Sequence, residues 1–200
     1  MSDELVALTI VANAWPDVRR ELHLRRNLCV HASLAVARAL AKRGLDVAPT
    51  IVKAYAVVPS VGRLVEFGVT PGQTYRGRGP DAEGYDLHAI VVGHDGFADL
   101  TMDAHELVPR PVALPWESVS VDSWVVDDLF PGVPTGDAWA VGTWAAEGPW
   151  AGSGCDMALA WCIADDERPL VVRNVEQARV VSAIAAAFST QLDAILGPAE

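Results

Sequence analysis

Apolar residues recur at Leu5, Leu8, Ala12 and Trp15, a spacing that predicts a helix over 3–15. Ser2 stands as its cap, and Pro16 either ends it or opens a short, charged surface helix over 16–26. A second helix is predicted over 27–44, NLCVHASLAVARALAKRG. Asn27 has the side-chain acceptor of an N-cap, Ala and Leu fill the body, and Arg38, Lys42 and Arg43 suit the negative end of the dipole. Gly44 can take the left-handed turn that closes it. The pattern then changes. VAPTIVKAYAVVP (47–59) is rich in β-branched residues and predicts a strand, and 62–70 predicts a weaker one. Residues 71–84 are dense in Gly and Pro and read as a long loop, expected to border a cleft and to be cut first by proteases. LHAIVVG (87–93), HDG (94–96) and FADLTMD (97–103) read as strand, turn and returning strand, with Asp95-Gly96 as the turn.

Farther along, 108–115 is Pro-rich and reads as an extended connector, whereas 118–126 alternates like a strand. Periodicity does not assign 131–154, and the apolar run 155–165 fits either a buried strand or a short helix. The segment 175–196 is a helix. Asn174 and Gln177 have capping-box spacing, Val181, Ile184, Phe188, Leu192 and Ile195 form one stripe, and Gly197-Pro198 stops it.

Composition narrows the classes. With 200 residues, 51% hydrophobic and 20% charged, the chain can bury a substantial core as a single domain over 1–200. A net charge of -11 is wrong for neutralising phosphates or anionic lipid, so neither a nucleic acid nor a membrane is expected as partner. No apolar run approaches the roughly 18–20 residues of a membrane span. The acidic start, MSDEL, lacks the basic region of a signal peptide, and three cysteines make no disulfide framework. A reducing, cytoplasmic setting is the expectation.

Cys29 then becomes the residue of interest. With Asn27 as cap it falls at the second helical position, where unpaired N–H groups stabilise a thiolate. A cysteine so placed is either a nucleophile or a small core residue. Downstream lie His88 at the head of one strand and two carboxylates, Asp99 and Asp103, on the next. A thiolate nucleophile needs an imidazole to take its proton and return it to the leaving group, and the imidazole needs an acceptor at its other nitrogen. A turn centred on Asp95-Gly96 sets His88 opposite Asp103 and moves Asp99 too far along to touch it.

A cysteine heading an Ala-rich helix, followed by DLHAIVVGHDGFADLTMD, resembles the papain-like, transglutaminase-like superfamily. The resemblance covers about 27–103. It implies an α+β fold with the cysteine helix packed on an antiparallel sheet and the second half of the chain added to that core. It also implies Cys29 as nucleophile, His88 as general base and acid, and Asp99, through GFADLT, as the orienting acid. Leu28 and Ile90 stand where transglutaminases carry aromatics, and no Gln precedes Cys29 as the oxyanion donor of papain-like proteases. That role would pass to backbone N–H groups or to Asn27. The implied activity is thiol-dependent acyl transfer or amide hydrolysis on a peptide, isopeptide or small amide, with no cofactor.

Two other readings stay open. One is a catalytically silent member of the fold that binds a protein partner through its Trp-rich second half. The other is a metal-dependent hydrolase using His88, His94, Asp95, Asp99, Asp103 and His105, although no HExxH or paired CxxC spacing is present and no metal is expected. Cys155 and Cys162 read as buried structural thiols. His31, two residues from Cys29, lies on another helix face.

Overall fold

The computed structural model describes residues 1–24, 28–58, 63–67, 83–85, 88–101, 111–116, 139–145, 156–163 and 170–199. Three helices and eight strands occur among them in a mixed α+β arrangement: α1 (Asp3–Glu21), α2 (Cys29–Ala41), β1 (Ala48–Val58), β2 (Arg63–Phe67), β3 (Glu83–Tyr85), β4 (Ala89–Val92), β5 (Gly96–Asp99), β6 (Val112–Pro115), β7 (Trp139–Ala145), β8 (Asp156–Ile163) and α3 (Val175–Leu196). The loop predicted over 71–84 lies outside the described residues up to 82, and its last two residues open β3. The strand predicted over 118–126 also lies outside the described residues.

Helix α1 runs straight through Pro16, correcting the break expected there. Trp15 and Val18 are both buried on either side of the proline, so packing holds the helix where local propensity would end it. Ser2 does cap it, accepting from the Leu5 N–H. At the other end of the chain, Asn174 accepts from the Gln177 N–H at 2.9 Å, while the Gln177 side chain accepts from the Arg173 N–H at 2.8 Å. The box forms one residue wider than the ideal pattern. Val181, Ile184, Phe188 and Leu192 are buried as the stripe predicts, but Ile195 is 62% exposed. Helix α3 is 22 residues long and holds an 18-residue window of mean hydropathy 1.3, so by length and composition it meets the requirement of a membrane span, correcting the expectation that no run does. In this fold its stripe packs against α1 and α2, with Trp15 and Phe188 rings 5.9 Å apart.

Strand β1 serves two sheets. Its first half, from Ala48 to Ile51, pairs β4, and β4–β5–β6 continue a four-stranded antiparallel sheet. Its second half pairs β2 and β8, and β8 pairs β7. The connector expected at 108–115 is therefore partly a strand, recruited by the free edge of β5, and the ambiguous run 155–165 holds the strand β8 over Asp156–Ile163. Val52 marks the junction: its N–H donates to the His88 carbonyl at 3.1 Å, and it also pairs Ile163 of β8. Helices α1 and α2 pack on the first sheet around Leu8, Val11, Trp15, Val36, Leu40, Val91 and Ala98, and α3 packs on those two helices.

Candidate active site

Two corrections of register build the site. Helix α2 begins at Cys29, with Leu28 at the cap position and no side-chain cap bond. Cys29 is thus the first helical residue rather than the second, and Asn27, proposed as cap and oxyanion donor, lies outside the described residues. The first-turn N–H groups of α2 face no capping side chain, which leaves the positive end of the dipole beside the sulfur.

The hairpin carries the second correction. Val91 faces Ala98 and Val92 faces Phe97, and the Gly93 N–H donates to the Gly96 carbonyl at 2.8 Å. The turn is therefore His94-Asp95, one residue earlier than the Asp-Gly rule places it. A type I′ Asp-Gly turn needs positive φ at both residues. Among the described glycines only Gly44 and Gly197 have it. Gly96 is instead a strand residue whose missing Cβ makes room for the Leu114 carbonyl and the Leu5 side chain. The Glu4 carboxylate accepts from the Asp95 N–H at 2.9 Å, fixing the tip from α1.

This register places Ile90 opposite Asp99 and makes His88 its diagonal neighbour on the same face, within reach of a short carboxylate and an imidazole. His88 Nε2 and Asp99 Oδ2 are 2.6 Å apart, with side-chain exposures of 3% and 0%. Asp103, favoured by ideal turn counting, lies outside the described residues; the carboxylate at His88 is Asp99. The Asp99 carboxylate is held from three sides. Trp161 Nε1–H donates to Oδ2 at 2.9 Å, and the Thr101 N–H donates to Oδ1 at 3.1 Å, which turns the chain away from the β5 direction. Trp161 comes from β8, in the other sheet, and is fully buried against Phe97 at 5.1 Å between ring centroids.

With Nε2 committed to Asp99, Nδ1 of His88 is the nitrogen left for the Cys29 thiol, to which the imidazole is hydrogen-bonded. Burial alone would raise the pKa of Cys29, and the Asp99 charge adds to that. The hydrogen bond and charge of His88, with the Ala89 N–H donating to sulfur, win and hold it below its ordinary value. Burial likewise opposes a charged His88, but Asp99 beside it raises its pKa to about 10. Asp99 is buried too, yet the imidazolium, Trp161 and the Thr101 N–H bring its pKa below the usual carboxylate range. All three shifts run in the direction that favours charge separation along the line Cys29, His88, Asp99. Such an array can present a thiolate to a carbonyl carbon and hold a proton ready for the departing group.

The remaining candidates stand apart. His94 and Asp95 pair with each other at 2.8 Å on the exposed hairpin tip and do not converge with His88 and Asp99. Among the described residues no three His, Cys, Asp or Glu side chains gather as a metal site. His31 lines a shallow groove of about 230 Å³ with Val30, Leu34 and Val172, and partial burial pushes its pKa down. Cys155 lies outside the described residues, and Cys162 is described only through its pairing with Lys53 and Trp139. Sequence reasoning missed Trp161, whose one signal is an aromatic N–H donor inside an otherwise apolar strand. It also missed Ser33, a polar residue on the buried face of α2 whose hydroxyl donates to the Ala89 carbonyl at 3.1 Å. The chain matches no family model, no curated protein and no solved structure.

Proposed function

We propose that this chain is a papain-like, transglutaminase-like cysteine hydrolase or acyltransferase. The observation that carries the reading is one continuous hydrogen-bonded line, Cys29 to His88 to Asp99, buried at its carboxylate end. Cys29 Sγ attacks the carbonyl carbon of a peptide, isopeptide or small amide, and the carbonyl π pair moves onto oxygen. Backbone N–H groups in the first turn of α2 receive that oxyanion. As the intermediate collapses, the C–N bond breaks and His88 delivers its proton to the departing nitrogen, leaving a thioester on Cys29. Water or a second amine then attacks the thioester while His88 takes its proton, and the thiolate leaves. Asp99 holds the ring orientation throughout and balances the imidazolium charge.

Trapping of the acyl intermediate tests this. After brief exposure to p-nitrophenyl acetate, intact mass and peptide mapping are expected to show one acetyl group, on Cys29. Iodoacetamide is expected to label Cys29 ahead of Cys155 and Cys162. Acylation spread evenly over the three thiols, or faster labelling at Cys155, would overturn the assignment and leave a silent member of the fold.

A further inference from the structure

We propose that Ser33 is a positioning residue for the thiol–imidazole pair, acting through the backbone of Ala89. The inference rests on the reading of Cys29 as a nucleophile paired with His88.

Hydrogen bonds in an antiparallel ladder alternate between the two edges of a strand. Val52 N–H bonds the His88 carbonyl on the β1 side, and Gly93 bonds Gly96 on the β5 side. By that alternation the polar groups of Ala89 point toward β5, where their partner would be Leu100. Strand β5, however, ends at Asp99, and Leu100 lies in the bend that returns the Thr101 N–H to the Asp99 carboxylate. The use of Asp99 as a buried acceptor therefore removes the next ladder pair and would strand two buried backbone groups.

Helix α2 fills that gap with two side chains one turn apart. Cys29 Sγ accepts from the Ala89 N–H, and Ser33 Oγ donates to the Ala89 carbonyl at 3.1 Å. Residues at i and i+4 share a helix face, so both groups of one residue are gripped by one edge of α2. Ser33 is 2% exposed and Ala89 1%, so no water replaces the hydroxyl without rearrangement. Ala89 also follows His88 directly. Fixing its peptide sets the distance between the head of α2, which carries the sulfur, and the strand that carries the imidazole. A serine that served packing alone would be replaced by alanine with no effect on the sulfur.

The test is the pH dependence of iodoacetamide alkylation at Cys29 in the full chain, read by peptide mapping. In the unsubstituted protein the rate is expected to reach its plateau well below the ordinary thiol range. Ser33→Ala is expected to move the midpoint up by about one pH unit, slowing the reaction about tenfold below it. Ser33→Thr, which keeps the hydroxyl, is expected to restore the original profile. Ala39→Gly, farther along the buried face of α2, is expected to weaken the helix and leave the profile in place. If Ser33→Ala folds and its profile overlays the original, the proposal falls while the Cys29–His88 pair stands. If the unsubstituted Cys29 titrates as an ordinary thiol, the nucleophile reading falls and takes this one with it. Should Ser33→Ala fail to fold, the isosteric pair Ser33→Thr and Ser33→Val carries the same comparison, and identical profiles for the two would overturn the proposal.

Discussion

One hairpin carries two histidine–aspartate pairs of nearly equal length, and their surroundings separate them. His88 and Asp99 lie 2.6 Å apart with side chains 3% and 0% exposed; His94 and Asp95 lie 2.8 Å apart with side chains 92% and 45% exposed. In both pairs the histidine pKa is raised and the aspartate pKa lowered. At the tip, water and salt compete for each partner, so the pairing holds neither ring nor carboxylate in one place. Inside, Asp99 is wedged between Trp161 and the Thr101 N–H, and His88 has one acceptor and one thiol to face. Distance between partners thus says little about what a pair does. The number of fixed donors behind the carboxylate says more.

The same substitution made in both pairs breaks the comparison most sharply. Asp99→Asn is expected to lower thiol-dependent activity about 10²–10⁴-fold with the fold retained, because an amide cannot balance the imidazolium. Asp95→Asn is expected to leave activity unchanged, and so is Asp103→Asn. Steady-state kcat/KM for the three variants checks this, and a larger loss at Asp103 would reassign the orienting acid. Next in size is Trp161→Phe, which keeps an aromatic ring and removes the N–H. Losing a hydrogen bond to a charged, buried acceptor is expected to cost about 1.5–3 kcal/mol in urea unfolding. The same substitution would leave Asp99 easier to protonate, so the acid limb of the activity profile should move to higher pH.

Stability against pH gives a smaller effect of defined sign. His88 is raised from 6.5 to about 10, so its contribution is complete below 6.5 and is lost as pH rises through about 10. Asp99 is lowered from 3.8, so its contribution is complete above that value and is lost as pH falls through the depressed one. Thermal midpoints are expected to be highest between pH 3.8 and 6.5 and to decline on both sides, with both declines reduced in Asp99→Asn. The smallest effect belongs to the tip. His94→Ala is expected to change neither activity nor unfolding midpoint in about 0.15 M salt, where exposed charges are screened. A change in either would show that the exposed pair is more than a solvated turn.

Much of this architecture is legible from pattern. The spacing of Leu8, Ala12 and Trp15, the capping box at Asn174, and the branched run of β1 all act within a few residues, where period and propensity decide. The cysteine, histidine and acid are legible as residue types in an order. What fails is register, because distant residues set it. Gly96 reads locally as a turn glycine, yet Leu114 and Leu5 press against it from elements remote in sequence. Pro16 reads as a breaker, yet Trp15 and Val18 anchor the helix on both sides of it. Trp161 and Ser33 are illegible for the same reason: each matters through one partner, 62 and 56 residues away along the chain.

The sharing of β1 between two sheets has a consequence for how the protein comes into being. Cys29, His88 and Asp99 are all synthesised by the midpoint of the chain, but the donor that completes the carboxylate's shell arrives with β8. Strand β8 pairs the half of β1 that begins where β4 leaves off, at Val52. Until the ribosome has released Trp161, Asp99 has an open side and the ion pair lacks its backing. For much of its translation the nascent chain therefore carries Cys29 and His88 beside a carboxylate that still lacks one of its donors. The carboxylate shell of the proposed triad is complete only once β8 has closed on β1.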